Sequence, residues 1–281
     1  MELGIFAKTF RRPASRATLE AVRALDLRCV QFNFECAGLP SMPDEVPSST
    51  LASVGAASRE TGVRLAALSA AFNMAHPDAK ARKRGLRRLR VVAEAAAQLG
   101  APFVTLCTGT RDVENMWRAH TPENRSEQAW ADLLETMQAA LSISAEAGVV
   151  LAIEPEPANV VFDARRARAL LDTLGAGDRL KVLLDPANLL EKSRPQRVVL
   201  REAFALLGAD LAIAHAKDRR SDEQTCALGC GIVDFGSYFE LLDAAGFTGP
   251  LIMHGFEESG ALESTRFARA KLSEARANAV R

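Results

Sequence analysis

The 281-residue sequence contains few cysteines, and none of them is placed as in a disulfide scaffold or a zinc ribbon. There are five, an odd number, and no two of them form a CxxC pair. Small secreted domains usually carry an even set, and zinc ribbons are built on paired CxxC motifs. The scarcity therefore excludes both classes and predicts reduced cysteines, as in the cytoplasm.

Long apolar runs and an excess of either charge are also lacking. No apolar run approaches the length of about 18 residues that a membrane helix needs. The opening MELGIFAKTF has a short apolar stretch that charged residues interrupt too early for a signal peptide. Lys plus Arg and Asp plus Glu number 35 each, so the basic excess of nucleic-acid binders is missing. We expect a cytoplasmic protein that binds a small molecule and neither a membrane nor a nucleic acid.

A glycine-rich dinucleotide motif is missing as well. After the first apolar run the chain reads Ala7-Lys8-Thr9-Phe10, where an open doubly wound sheet would carry GxGxxG. What the sequence does contain is a series of short runs that are apolar throughout, as parallel strands buried on both faces are. The eight candidate strands are Leu3–Phe6, Cys29–Phe32, Leu65–Ala70, Phe103–Leu106, Val149–Ile153, Leu180–Leu184, Leu211–Ala214 and Leu251–Met253.

Each candidate strand is followed by a longer amphipathic stretch that predicts a helix. These stretches are Ser15–Leu25, Ser48–Thr61, Ala79–Leu99, Ser126–Ala147, Asp163–Leu174, Gln196–Leu207, Phe235–Ala245 and Glu263–Ala279. Several stop at a glycine, among them Gly100, Gly148 and Gly175, as helix ends commonly do. Strict alternation indicates a parallel sheet, and eight units indicate closure. The sequence predicts an α/β protein, a single (β/α)8 TIM barrel domain over residues 1–281.

Four consecutive predicted strands end on a carboxylate or an imidazole. The fifth ends in Glu154, the sixth in Asp185, the seventh in His215 and the eighth in His254. Taken singly, such an acid is often a helix N-cap, and such a histidine is often structural. At the adjacent ends of parallel strands, two carboxylates and two imidazoles favour one divalent metal, with Mn, Mg, Co and Zn all suited to these ligands.

Longer motifs around these strand ends resemble those of a known family. They are AxxLGAPFVTLCTG, LAIEPE, VLLDPANLL, AHAKD and GxGxVDF…AGFTGPLIMH, on strands four to eight in order. Over nearly its whole length the chain resembles the xylose isomerase-like TIM barrel superfamily of sugar and sugar-phosphate isomerases and epimerases. The resemblance implies a divalent metal held by a Glu, Asp, His, Glu set, and by position it implies Glu154, Asp185 and His215 as ligands. The glutamates of that set often shuttle protons through an enediolate.

The eighth strand departs from the pattern of that family. Relatives read roughly GPLxIE there, whereas this chain reads Gly-Pro-Leu-Ile-Met-His254. An imidazole ligates a metal, but it is a poorer match for the second base of a two-glutamate epimerisation. Glu257 or Glu258, on the loop that follows, is the alternative. The departure leaves open whether His254 or Glu257 is the fourth ligand, and it leaves the reaction type open too.

The candidate proton-transfer residues are Glu154, Glu156, Lys8 and Glu257. A metal that binds a carbonyl and a neighbouring hydroxyl makes the intervening C–H more acidic, because the cation holds the developing enediolate charge. Glu154 is the predicted general base. Glu156, two residues further on, is the alternative base or else a surface acid. Lys8 is expected to meet an anionic group or the enediolate oxygen, unless it is a solvated lysine.

Polar residues in the loops after the strands are the candidate substrate contacts. They are Asn73, His76, Thr108, Arg111, Trp117, Asn188, Lys217 and Arg219. Plainer alternatives exist for several of them. Asn73 and His76 are expected to bond sugar hydroxyls, with capping of the third helix as the alternative. Lys217 and Asp218 are adjacent and suited to pairing with each other, and Arg219 is as suited to the surface.

Four functions fit this pattern to different degrees. The leading one is metal-dependent isomerisation or epimerisation of a small sugar, keto-sugar or polyol. The alternative is a lyase such as a dehydratase, which begins with the same proton abstraction. An abasic-site endonuclease would need several metals and a basic groove, against which four histidines and zero net charge argue. A metal-free sugar binder would retain no metal. Barrels of this kind often pair, so a homodimer or homotetramer is also expected.

Overall fold

Eight parallel strands close into a barrel in the computed structural model, which describes residues 1–117 and 121–279. The strands in chain order are β1 (Glu2–Phe6), β2 (Cys29–Phe32), β3 (Arg64–Ser69), β4 (Phe103–Cys107), β5 (Val150–Glu154), β6 (Leu180–Leu184), β7 (Leu211–Ala216), the short β8 (Asp218–Arg219) and β9 (Thr225–Cys226), and β10 (Pro250–Met253). The barrel order is β1-β10-β7-β6-β5-β4-β3-β2, with β8 and β9 outside it. The predicted TIM barrel is confirmed.

Helices cover the outside of the barrel. They are α1 (Ser15–Ala24), α2 (Ser48–Thr61), α3 (Ala79–Gln98), α4 (Glu127–Ala147), α5 (Ala164–Leu174), α6 (Pro186–Leu189), α7 (Gln196–Leu207), α8 (Phe235–Ala244) and α9 (Ala261–Ala279). Local chemistry sets several of their ends. The side chains of Asp78, Ser126 and Asp163 accept hydrogen bonds from the free amides at the starts of α3, α4 and α5. Gly148 and Gly175 end α4 and α5 in the left-handed conformation.

The inside of the barrel is filled by small and branched apolar side chains. A separate cluster of buried residues draws on six strands: Cys29, Ala66, Ala67, Ala152, Leu183, Ile213 and Ile252. Side chains on one strand alternate between its two faces. Leu183, Ile213 and Ile252 each precede a polar strand-end residue by two positions, so the polar residue faces inward above an apolar floor.

Two details depart from the predicted elements. β7 was predicted to end at Ala214, but it runs to Ala216, because β10 continues to pair with it (Ile252 with His215 and Met253 with Ala216). The segment after β7 contains the antiparallel pair β8 and β9, which is not among the predicted strands. His215 therefore lies within a strand, held by hydrogen bonds of the barrel itself.

A membrane-crossing helix is not found among residues 1–117 and 121–279, where no helix combines the necessary length and apolar character.

Candidate active site

Four side chains converge at the carboxyl-terminal mouth of the barrel. Glu154 is the last residue of β5, Asp185 directly follows β6, His215 lies in β7, and His254 directly follows β10. These strands are consecutive neighbours in the barrel. One ligand atom from each of the four residues lies within 4.8 Å of all the others. The arrangement brings together the four residues that the sequence proposed as ligands.

Short contacts hold this cluster. His254 Nε2 lies 3.1 Å from Asp185 Oδ2, and His215 Nδ1 lies 3.6 Å from Glu154 Oε1. The two imidazole rings have centroids 4.2 Å apart. The other oxygen of Asp185 accepts a hydrogen bond of 2.9 Å from the amide of Ala187, which caps α6. The carboxylate of Asp185 is thus oriented on one side by backbone and faces the cluster on the other.

The geometry of His215 tests whether these residues suit a metal. Its Nε2 lies 2.8 Å from Gln31 Oε1, while Gln31 Nε2 donates to Thr105 Oγ1 at 3.2 Å. Because the amide oxygen of Gln31 faces the ring, Nε2 carries the proton and Nδ1 presents a lone pair. That Nδ1 atom is buried and has no hydrogen-bond partner. A buried lone pair beside two carboxylates and a second imidazole fits a divalent cation, and the bond from Gln31 is the outer support that metal-binding histidines usually have.

Lys217 and Asn188 tie the carboxylates together. Lys217 Nζ lies 2.9 Å from Asp185 Oδ2 and donates to Asn188 Oδ1 at 2.6 Å. Asn188 Nδ2 in turn donates to Glu154 Oε1 at 2.9 Å and to Glu156 Oε2 at 2.8 Å. The network positions both glutamates of the Glu-Pro-Glu-Pro segment at the mouth.

The suggested pairing of Lys217 with Asp218 was wrong. Asp218 is buried and accepts hydrogen bonds from the backbone amides of Gly229 and Gly231, both at 2.9 Å. A side chain on Gly231 would lie 2.2 Å from the carboxylate of Asp218, so only glycine allows this approach. Adjacent strand residues point to opposite sides, which directs Lys217 into the mouth and Asp218 into the loop.

Burial and charge shift the pKa values of these groups in different directions. Burial raises the pKa of Glu156 to about 7, and the nearby charges of Glu154 and Asp185 add to this effect. Burial alone would raise the pKa of Asp185, but Lys217 and His254 hold it well below its usual range. Burial, and then the neighbouring His215, lowers the pKa of His254 to about 4. At neutral pH the ring of His254 is therefore neutral and able to ligate a metal.

The sequence profile of the xylose isomerase-like TIM barrel family matches residues 19–274. The chain belongs to the xylose isomerase-like TIM barrel family. No curated protein matches the sequence of this chain.

Solved structures with the same fold cover this xylose isomerase-like chain almost completely. The 3-keto-D-glucoside 4-epimerase YcjR from E. coli has 17% identity and a TM-score of 0.74, with 99% of each chain covered. An L-ribulose 3-epimerase has 18% identity and a TM-score of 0.76, covering 99% of this chain and 97% of its own. The D-psicose 3-epimerase of Clostridium cellulolyticum H10 has 15% identity and a TM-score of 0.74, covering 97% and 99%. At these identities the likeness shows the fold.

A cavity of about 1010 Å³ opens above the cluster in this xylose isomerase-like barrel. Glu154, His215 and His254 line it, and so do several residues that the sequence proposed: Lys8, Trp117, Glu156, Asn188, Lys217 and Arg219. Trp117 is 58% exposed and therefore offers an apolar surface to the cavity. Arg219 donates to the carbonyl of Leu190 at 3.2 Å.

Three proposed substrate contacts lie in the loops beside the mouth and not on the cavity wall. Asn73 Oδ1 accepts from the amide of Thr110 at 2.8 Å, and Thr108 Oγ1 accepts from the amide of Val161 at 3.1 Å. Arg111 pairs with Asp132 at 2.5 Å. These contacts fix the loops that follow β3 and β4. The role of these residues in substrate binding stays a prediction.

His76 and Glu257 are also directed elsewhere. His76 Nδ1 accepts from the amide of Asp78 at 3.0 Å, at the start of α3, as its capping alternative predicts. Glu257 is exposed and lies 3.4 Å from Arg11. It is not part of the four-residue cluster, which contains His254. The catalytic role proposed for Glu257 stays a prediction without a contact at the cluster.

Sequence reasoning missed three residues that shape the site. Gln31 and Thr105 form the chain of hydrogen bonds to His215, and each is the single polar residue of an otherwise apolar strand. That isolation in a buried strand was a usable signal, because a buried polar group needs a partner. Glu35 lies 2.6 Å from Lys8 and lines the cavity. It belongs to a short 3-10 helix after β2 and gave no comparable signal.

Proposed function

We propose that this chain is a divalent-metal-dependent isomerase or epimerase of a small keto-sugar. One observation carries the proposal: ligand atoms of Glu154, Asp185, His215 and His254 lie within 4.8 Å of one another, and the buried Nδ1 of His215 has no hydrogen-bond partner. The names of three solved structures with this fold, a 3-keto-glucoside epimerase, a ribulose epimerase and a psicose epimerase, support the sugar as substrate class.

The charges at the mouth favour a divalent cation. Three carboxylates, Glu154, Glu156 and Asp185, surround the buried ammonium of Lys217. Buried negative charge in such excess is costly unless a cation offsets it. The raised pKa of Glu156 is one expression of this excess. Two imidazole nitrogens and two carboxylate oxygens suit Mn, Co or Zn, and also Mg where water completes the set.

The residues at the mouth have separate roles in the proposed reaction. When bound, a divalent cation would stabilise negative charge that develops on two adjacent substrate oxygens. Glu154 takes the proton from the hydroxyl-bearing carbon next to the carbonyl, and the electron pair of the C–H bond moves towards the carbonyl, which gives an enediolate. Asn188 keeps Glu154 beside Glu156. With a pKa of about 7, Glu156 exchanges protons with the cavity near neutral pH.

A lyase shares this first step and differs only in what the enediolate loses. No described side chain at the mouth separately favours expulsion of a hydroxyl group, whereas three neighbours in fold are named epimerases. The two reactions differ in product mass, because a dehydratase removes water and an epimerase does not. Mass spectrometry of the product separates them directly.

Two measurements test the proposed function. Elemental analysis of the purified protein should find one divalent metal ion per chain, removable by a chelator. The metal-loaded protein should then exchange a carbon-bound proton of D-psicose, D-tagatose or L-ribulose for deuterium in D2O and form an isomer of unchanged composition. Absence of a retained metal, or the absence of exchange with all of these sugars, would contradict the proposal.

A further inference from the structure

The wall of the barrel opposite Glu154 bears on whether the reaction inverts a carbon centre. Epimerisation removes a proton from one side of a carbon and returns one to the other side, so it needs two groups that face each other across the substrate. In the barrel order, three strands separate β1 from β5 in either direction. β1 and β5 are therefore diametrically opposite, and a group that follows β1 faces Glu154 across the mouth.

Lys8 and Glu35 occupy that opposite wall. Lys8 lies in the short 3-10 helix that follows β1, and Glu35 lies in the short 3-10 helix that follows β2. Lys8 Nζ is 2.6 Å from Glu35 Oε2, and the two side chains are 40% and 45% exposed. Both residues line the same cavity as Glu154 and His254. A charged pair thus faces the proposed base across the space that a sugar would fill.

The titratable groups on and beside this wall of the cavity are already engaged. On the half built by β1 to β4, the described cavity wall has one further titratable side chain, Cys107. Its thiol donates to the carbonyl of Phe72 at 3.5 Å, and burial raises its pKa far above the ordinary value. His254, on β10, contacts Asp185 and belongs to the ligand cluster. Lys8, with Glu35 beside it, is the proton donor that this wall offers.

We propose that Lys8 is the second proton-transfer residue of the site, opposite Glu154, and that Glu35 positions it. This rests on the proposed function and narrows it to epimerisation of a neutral keto-sugar. Since Glu35 neutralises Lys8, the pair is a poor site for an anionic substrate group.

The proton balance of this step closes without an oxidant or a reductant. Glu154 takes the proton from carbon and becomes protonated, and the C–H electron pair forms the enediolate. The ammonium of Lys8 then delivers a proton to the opposite side of the same carbon, and Lys8 becomes neutral. Glu154 releases its proton to solvent, and Lys8 regains one from solvent, before the next turnover.

The test separates proton exchange from inversion. D-psicose, D-tagatose and L-ribulose are incubated in D2O with the Mn-loaded protein, and NMR follows deuterium at carbon while chromatography follows the epimer. In Lys8→Met, deuterium exchange through Glu154 should stay within about threefold of the unchanged protein, whereas epimer formation should fall about 100-fold or more. In Glu35→Gln, epimer formation should fall while exchange stays near that of the unchanged protein, because Lys8 loses the 2.6 Å contact that positions it.

A matched control breaks another exposed lysine–glutamate pair. Lys271 lies 2.7 Å from Glu274 on α9, and its side chain is 36% exposed, close to the exposure of Lys8. Lys271→Met should leave both readouts unchanged. Equal loss of exchange and inversion in Lys8→Met, or loss of neither, would overturn the role of Lys8 and leave the proposed function standing. Absence of exchange in the unchanged protein would instead remove the proposed function itself.

Discussion

The two halves of the barrel mouth differ in chemistry although they share one scaffold. The half formed by β5, β6, β7 and β10, which we call the ligand half, ends in Glu154, Asp185, His215 and His254. We call the half formed by β1 to β4 the uncharged half, because the polar residues of its strands that reach the cavity carry no charge. They are Gln31, Ser69 and Thr105. Among the described residues of this half that line the cavity, the charged ones are the exposed pair Lys8 and Glu35, which follow β1 and β2.

Side chains of the uncharged half nevertheless orient a side chain of the ligand half. Gln31 reaches across the barrel and fixes which nitrogen of His215 carries the proton. Thr105 accepts from Gln31 and so fixes the orientation of its amide. A ligand set can therefore be supplied by one half of a barrel while its orientation is supplied by the other.

The largest expected effect comes from removing a charge in the ligand half. Asp185→Asn should abolish metal retention after dialysis, because it removes a carboxylate ligand, while its amide oxygen can still cap α6 at Ala187. Elemental analysis measures the metal, and circular dichroism checks the fold. Asp44→Asn, at an exposed acid paired with Arg88, serves as control and should retain metal. Full occupancy in Asp185→Asn would rule out the proposed ligands.

A smaller loss of metal affinity should follow from a substitution in the uncharged half. Gln31→Leu removes the acceptor for His215 Nε2, and metal affinity should weaken by about 10–100-fold, as is usual when the outer support of a ligand is lost. Thr105→Val should weaken it less, because it only frees the amide of Gln31 to turn. Calorimetric titration with Mn measures both variants. Equal affinities in all three proteins would show that the halves are independent.

The pH dependence of stability sharpens the same contrast within the ligand half. The pKa of Glu156 is raised from 4.5 to about 7, so the fold favours its protonated form. That contribution is fully present below pH 4.5 and is lost as the pH rises through about 7. Metal-free protein should therefore lose stability relative to Glu156→Gln across this window.

Urea unfolding of both metal-free proteins at several pH values measures this difference. His254 contributes an opposite slope of stability against pH, since its pKa is lowered from 6.5 to about 4. Both proteins contain His254, so this contribution cancels in the comparison. Parallel curves for the two proteins would mean that Glu156 is not buried near other carboxylates.

The smallest effect concerns thiols, most of which lie in the uncharged half. Cys29, Cys36 and Cys107 are buried there, and burial raises the pKa of Cys29 to about 12 and of Cys36 to about 11. Cys226 is buried as well, whereas Cys230 is exposed. Iodoacetamide should therefore label Cys230 in the native protein, as mass spectrometry of peptides would show. Rapid labelling of Cys29 would indicate that this half opens.

The sequence by itself determined the barrel and the residues at its strand ends. Apolar runs that alternate with amphipathic stretches can bury their surfaces only as parallel strands covered by helices, and closure brings all carboxyl ends to one mouth. For that reason Glu154, Asp185, His215 and His254 were predictable as neighbours from their positions alone. The extension of β7 past His215 was not, since it depends on pairing with β10.

Only the tertiary structure decided which partner each polar side chain meets. Gln31 and His215 are 184 residues apart in the chain, and their contact depends on the packing of the barrel interior. Lys217 has Asp218 as its neighbour in sequence, yet it meets Asp185, because alternate residues of an extended chain face opposite ways. The opposition of Lys8 and Glu154 likewise follows from the closed order of strands. Strand ends are fixed by local pattern, whereas side-chain partners are fixed by distances that only closure of the barrel sets.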